Sequence, residues 1–205
     1  MAETFNVGTF VSRQIRQLLG SDPSRPSPTA RAMLAQLRQA SAAEPGTAPA
    51  VWALTLEGIP DLPERQRERV EQAAHVALTQ FATHQQSRGR SMHEPTQPFG
   101  AAVRKLAQLT SENEPHLSAV YQRFTAMSMA TSLPGLLAHS RGIIAQLRTH
   151  EIPFDYARYA NDIELFLRPG RSRDVQSRWG RDFHRLPTQT PDPSQPIVTH
   201  EGEQS

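Results

Sequence analysis

Arginine is the residue type whose number and spacing could do chemistry in this chain. Of the 22 basic residues 21 are Arg, and Lys105 is the exception. A guanidinium group is planar, stays charged and donates two parallel hydrogen bonds to a phosphate. The composition therefore favours the binding of an anionic polymer. A GC-rich genome would also enrich Arg, so the positions of the arginines have to decide between the two explanations.

Several arginines recur at helical spacing. Arg31 and Arg38 lie seven residues apart, two turns along one side of a helix, and Arg141 and Arg148 repeat that spacing. Residues 115–150 contain no acidic residue that could neutralise the second pair locally. A basic patch on adjacent helices is typical of contact with nucleic-acid phosphates. For any single Arg, the alternative is an ion pair or packing of its methylenes over the core.

Charge is divided unevenly along the chain. The net charge is +2. Residues 187–205 contain three acidic residues and no Lys or Arg, which leaves +5 for residues 1–186. The last 19 residues are rich in Pro, Thr and Gln, so we expect a disordered acidic tail there.

The sequence gives little support for a disulfide, a metal site or a catalytic site. There is no Cys, which excludes disulfides and thiolate metal sites. The eight His include no His-Glu-x-x-His pair, so we predict no metal site and no cofactor. Asp162 and Glu164 are two residues apart and point to different faces of a helix, where they cannot share a proton. We therefore predict no catalytic residues and no enzymatic activity.

Apolar residues follow the helical period throughout, and no run alternates with a period of two. The sequence predicts an all-α fold, a compact bundle of about eight or nine helices in two halves. The all-helical domain spans residues 1–186, with halves at about 8–86 and 98–186. The polar segment 87–97 is interpreted as a loop or a hinge between them. Helix starts are predicted at four capping residues: Ser27, Asp61, Ser132 and Asp155.

The final helix combines an apolar and a basic face. Trp179 and Phe183, four residues apart, point into the core, while Arg178, Arg181 and Arg185 project from another face. Arg181 is expected to pair with Asp182 or to hold the terminal helix in place.

With these elements in order, the chain resembles the CasB family, the small subunit of the type I-E CRISPR surveillance complex Cascade. The resemblance covers about residues 8–186 and depends on the order of the following segments: Ala35-Gln36-Leu37-Arg38, 51–56 and the long helix after it, 99–106 (FGAAVRKL), Tyr121-Gln122-Arg123-Phe124, 133–148, and 179–185 (WGRDFHR).

The resemblance implies a non-enzymatic subunit present in two copies. Its expected partners are the backbone and large subunits of Cascade, a second copy of itself, the guide RNA, and the target or displaced DNA. The family's role is to stabilise the R-loop, whose formation is nearly balanced in free energy. The nucleic-acid contacts implied for this chain are Arg38, Arg104, Lys105 and Arg123, with Arg141 and Arg148 as extensions.

Two other functions stay open at this stage. One is a purely structural helical adaptor whose arginines pair with acidic surfaces of protein partners. The other is an all-helical hydrolase that uses His and carboxylates. No segment has the roughly 20 apolar residues that span a bilayer, so we expect a cytoplasmic protein with no membrane partner.

Overall fold

The computed structural model describes residues 5–111 and 118–185. These residues form nine α-helices: α1 (Val7–Leu19), α2 (Pro28–Gln39), α3 (Trp52–Thr55), α4 (Glu64–His84), α5 (Phe99–Thr110), α6 (Ala119–Ser128), α7 (Leu133–Thr149), α8 (Tyr156–Phe166) and α9 (Ser172–His184). Two 3₁₀ turns, Ala40–Ala42 and Pro49–Val51, follow α2 and precede α3. Within these ranges the β-structure consists of a single isolated bridge, between His93 and Phe154. The all-α prediction is confirmed, whereas the predicted tail, residues 187–205, lies outside the described residues.

Three of the four predicted caps are confirmed. The side chains of Ser27, Ser132 and Asp155 accept from the backbone N–H three residues on, at 3.1, 3.4 and 3.0 Å. The cap predicted at Asp61 is wrong. Helix α4 begins after Pro63, and the Asp61 carboxylate pairs with Arg67 instead, at 3.2 Å. Pro63 itself occupies the N-cap position of α4, and no side chain caps the first turn of this helix.

Helix α8 joins the two halves of the sequence. It packs mainly against α1 and α4, which come from the first half, and also against α9. The two halves therefore share one hydrophobic core, and the exact domain bounds stay a prediction.

The segment 87–97 is a loop, the first of the two predicted possibilities, and it packs on the start of α8. Met92 is completely buried. Its carbonyl oxygen accepts from the Phe154 N–H at 3.2 Å, and the Phe154 carbonyl accepts from the Glu94 N–H at 3.0 Å. A third bond joins the Asp155 N–H to the Gln97 carbonyl at 2.7 Å. The loop is thus attached to the start of α8 and contributes Met92 to the core.

Aromatic rings fill the centre of the molecule around Phe99. Its ring centroid lies 5.1 Å from those of Phe154 and Tyr159, and 5.4 Å from that of Trp179. All four side chains are at most 2% exposed. The prediction that Trp179 of α9 points into the core is confirmed. Such edge and tilted ring contacts add to the free energy of area burial.

Ion pairs attach α9 to α8 and differ from those expected. Arg178 donates to the buried Asp162 carboxylate, which also accepts from Trp179 Nε1 at 2.8 Å. Asp182 is paired with Arg158 at 2.6 Å and not with Arg181, so the first of the two alternatives for Arg181 is wrong. Arg178 therefore does not contribute a free charge to the basic face of α9, because it is paired with Asp162.

Helices α5 and α9 approach each other most closely at Gly100. A Cβ atom built there would lie 2.4 Å from the Trp179 carbonyl oxygen and 3.0 Å from the Phe183 nitrogen, and neither backbone atom can move freely. We expect Gly100→Ala to lower the free energy of unfolding by about 1–3 kcal/mol. Gly180→Ala is the matched control, because a Cβ at Gly180 meets nothing within 4 Å. Urea unfolding should show the control unchanged or slightly stabilised by its helix propensity. Equal effects of the two changes would contradict the close approach.

A buried histidine makes the fold sensitive to acid. His84 is completely buried, its Nδ1 lies 3.1 Å from the Tyr156 hydroxyl, and its ring stacks on Phe154. Burial lowers the pKa of His84 to about 3, from 6.5. Because the unfolded chain takes up the proton first, the stabilisation present above pH 6.5 is lost as the pH falls towards 3.

The lowered pKa of His84 predicts a loss of stability in acid that can be measured. Urea unfolding of the protein should show a free energy lower by about 2 kcal/mol at pH 5 than near neutrality from His84 alone. His84→Phe cannot take up a proton, so its stability should change less over the same interval. An equal change in both proteins would contradict the assignment.

Candidate nucleic-acid interface

A groove between α2 and the end of α4 carries the first basic residues of the candidate interface. It has a volume of about 520 Å³, and its walls include Arg31 and Arg38 of α2 and Gln86 and Arg88 after α4. The α2 helix packs on α4 through Leu34 and Leu37, which turns Arg31 and Arg38 outwards. Arg38 has no hydrogen bond or ion pair to any described residue.

Helix α7 continues the basic surface on the other side of α4. Arg148 donates to the Gln86 side-chain oxygen at 2.7 Å, so it lies beside the α2–α4 groove. Two turns earlier, Arg141 donates to the Ser41 carbonyl oxygen at 2.7 Å, directly after α2. Both contacts are with neutral oxygens, and neither guanidinium forms an ion pair with a carboxylate of the described residues. The seven-residue pairs predicted from sequence are thus neighbours in space.

Arg123 of α6 lies against α7 at Gly142. Its Cδ, Nε and one terminal nitrogen would each be 3.3 Å from a Cβ atom at Gly142, the residue after Arg141. Gly142 therefore makes room for the Arg123 side chain beside α7. We call the surface formed by these five residues the arginine face: Arg31, Arg38, Arg123, Arg141 and Arg148.

The arginine face has an excess of positive charge. Within the described ranges, none of its five members forms an ion pair with a carboxylate. Nearby, Arg88 is neutralised by Glu151 at 2.5 Å. Guanidinium groups held by neutral oxygens retain further N–H donors, and these can bind phosphate oxygens.

Arg104 and Lys105 lie apart from that surface. Arg104 of α5 donates to the carbonyl oxygens of Arg185 at 2.9 Å and Phe183 at 3.4 Å, at the point where α9 ends. Lys105 is exposed and has no bond to the described residues. Their contact with nucleic acid stays a prediction, and for Arg104 the structure supplies a different use of the same guanidinium.

The ranking of these residues as nucleic-acid contacts differs between the sequence and the structure. From the sequence, Arg104 and Lys105 are stronger candidates for contact than Arg141 and Arg148, because only the first pair follows a recognisable Gly-led segment. Arg31 was noticed for its spacing but not proposed as a contact. Whether a given arginine is free or bonded depends on residues about 60 to 100 positions away, such as Ser41 for Arg141.

Two other kinds of site are absent from the described part of the chain. It contains no group of three or more His, Asp or Glu residues placed to hold a metal ion. None of its helices is both long enough and apolar enough to cross a membrane.

Comparison with known proteins decides the family. The family model of the CRISPR-associated protein Cse2 matches residues 33–184, about three quarters of the chain. The chain belongs to the Cse2 family. A comparison with curated proteins gives no match.

Solved structures agree with that membership. CasB from Thermobifida fusca is 34% identical with a TM-score of 0.72, and the match covers 87% of this chain and 98% of that one. A Cse2-family protein from Thermus thermophilus is 21% identical with a TM-score of 0.64. A CasB structure from Thermus thermophilus is 20% identical with a TM-score of 0.63. Both Thermus matches cover 87% of this chain and 98% of the other, and they show the Cse2 fold alone.

The resemblance to CasB inferred from sequence is therefore confirmed. The groove residues Arg38, Gln86 and Arg88 and the α7 residues Arg141 and Arg148 all fall within the part of the chain that the Cse2 model matches.

Proposed function

We propose that this Cse2-family protein is a non-catalytic subunit of Cascade that holds the target or displaced DNA strand of an R-loop. The observation that supports this most is the arginine face, where Arg38, Arg141 and Arg148 have no carboxylate partner among the described residues. Phosphates are the partners that such a surface fits, since each can accept two guanidinium hydrogen bonds.

The physical role is electrostatic positioning. Pairing of guide RNA with one DNA strand releases the other strand, and the exchange of base pairs is nearly neutral in free energy. A few phosphate contacts made only by the opened strands are then sufficient to favour the open state. Because these contacts are to the backbone, they carry no sequence information. The guide RNA supplies the sequence specificity.

The first candidate partners are the backbone and large subunits of Cascade, with a second copy of this chain beside the first. Exposed apolar side chains would suit such protein contacts: Trp52 is 46% exposed, Leu109 60% and Met129 74%. The same three residues favour the structural adaptor as the second candidate function. The adaptor needs no nucleic acid, so it predicts that the arginine face contacts acidic protein surfaces.

Purification from the native host tests the assignment. A tagged copy of the chain should co-purify with large CRISPR backbone subunits and with repeat-derived guide RNA, both identified by mass spectrometry and sequencing. A preparation that contains neither the subunits nor the RNA would overturn the Cascade role. Co-purified proteins from which the RNA is absent would favour the adaptor.

A further inference from the structure

Gln86 lies where the α2–α4 groove meets α7. It follows the last residue of α4 by two positions, lines the groove and is exposed. Its side-chain oxygen accepts from Arg148 of α7 at 2.7 Å, a contact between residues 62 positions apart. The bond therefore fixes where the Arg148 guanidinium lies relative to the groove.

The backbone that carries Gln86 is held by the preceding residue. Gln85 is 5% exposed, and its side-chain nitrogen donates to the carbonyl oxygens of Arg88 at 3.2 Å and Arg90 at 2.8 Å. The Gln85 side-chain oxygen accepts from the Met92 N–H at 2.8 Å. Because these three bonds fix the chain directly after α4, the Gln86 amide extends from an ordered segment.

The partner of Arg148 is neutral, whereas the partner of another arginine in the same groove is charged. Arg88 pairs with the Glu151 carboxylate at 2.5 Å, and that pair neutralises its charge. An amide oxygen accepts the same kind of hydrogen bond without adding a negative charge. Arg148 is therefore held in place and keeps its charge, and the bond to Gln86 uses only one of the five N–H donors of a guanidinium.

We propose that Gln86 is a positioning residue for single-stranded DNA. Its amide holds the Arg148 guanidinium beside the groove, so that Arg148 binds one phosphate of a strand whose neighbouring phosphates lie at Arg31 and Arg38. This inference depends on the proposed function. A long side chain that is already held in one place loses less rotamer freedom when the phosphate binds, and the affinity is higher for that reason.

Replacing Gln86 by Glu tests the need for a neutral partner. The change keeps the size of the side chain and the acceptor, but it adds a carboxylate that pairs with Arg148. If each of the five members of the arginine face binds one phosphate, the log–log salt slope should fall from about −3.5 to about −2.8. Fluorescence anisotropy with oligothymidylate should also show about fivefold weaker binding at low salt.

Gln108→Glu is the matched control, because it makes the same change in net charge. Gln108 of α5 is exposed and makes no side-chain bond to the described residues. This variant should keep the slope and lose less than about twofold in affinity, since its added charge acts only over a long range.

Replacing Gln86 by Met tests the positioning itself. Met has a similar length but no amide oxygen, so Arg148 keeps its charge and is no longer held. Binding should weaken about threefold, with the slope still near about −3.5. In a chain that also carries Arg148→Gln, the change to Met should have no further effect on binding, because the guanidinium that it would release is absent. Circular dichroism establishes that the variants fold.

Each outcome decides between the proposals. If Gln86→Glu keeps a slope of about −3.5 and loses no more affinity than Gln108→Glu, the positioning role is overturned and the arginine face stands. A loss in Gln86→Met that persists beside Arg148→Gln would show a structural effect and also overturn the positioning role. Absence of binding by the unmodified chain at low salt would overturn the phosphate role, and the positioning role with it.

Discussion

Replacing Arg38, Arg141 and Arg148 together by Glu is expected to weaken binding of single-stranded DNA by about a hundredfold at low salt. The three residues supply charge that no described carboxylate neutralises, and the changes turn attraction of phosphates into repulsion. If the five members of the arginine face each neutralise one phosphate, the log–log salt slope is about −3.5. With two members left, it should fall to about −1.4. Fluorescence anisotropy over a salt series measures both quantities.

The control is a second triple variant with the same change in net charge. Arg65, Arg173 and Arg181 are exposed, belong to α4 and α9, and make no side-chain bond to the described residues. Replacing these three by Glu should weaken binding only through long-range charge, and the salt slope should stay close to about −3.5. Equal losses in the two triple variants would mean that net charge and not the arginine face binds DNA.

The second large effect concerns stability. Asp162→Ala is expected to lower the free energy of unfolding by about 3 kcal/mol, because it removes the buried carboxylate of an ion pair. Asp162 is 1% exposed, and its loss leaves the Arg178 charge and the Trp179 indole N–H without their acceptor. Urea unfolding with an unchanged m-value would measure this loss directly.

An exposed ion pair provides the comparison. Asp174 pairs with Arg171 three residues away, on the surface at the start of α9. Asp174→Ala should cost less than about 1 kcal/mol. A loss below that value for Asp162→Ala as well would contradict the account of how α9 is attached to α8.

Local signals made most of the helices predictable. Ser27, Ser132 and Asp155 each stand directly before an apolar helical run, and each side chain bonds to a backbone N–H three residues on. Asp61 looked equivalent but lies outside the helix, because Pro63 occupies the N-cap position and α4 begins at Glu64. A cap is decided within one turn, so sequence reasoning succeeds where no second start signal competes.

Contacts between residues far apart in the sequence could not be predicted from such local signals. Asp182 has an Arg beside it in sequence, yet its partner is Arg158 on the preceding helix, 24 positions away. Arg104 looked like a free cation, but it caps carbonyl oxygens at the end of α9, about 80 positions away. Local spacing cannot show which distant helix end lies next to a side chain.

The arginine face was predictable in part. Residues 115–150 lack acidic residues, and that observation correctly indicated that Arg141 and Arg148 would have no carboxylate partner in the described chain. Their proximity to Arg38 required the packing of α2 and α7 on either side of α4.

The assembled complex gives the most direct test of the central claim. Cascade would be reconstituted with the unmodified chain, with the Arg38, Arg141 and Arg148 triple variant, or with the control triple, and both subunit incorporation and the lifetime of the R-loop would be measured. We expect all three complexes to assemble, and the first triple to shorten the R-loop lifetime roughly tenfold or more. An unchanged lifetime would contradict the account. Failure of the first triple alone to join the complex would establish the adaptor function in its place.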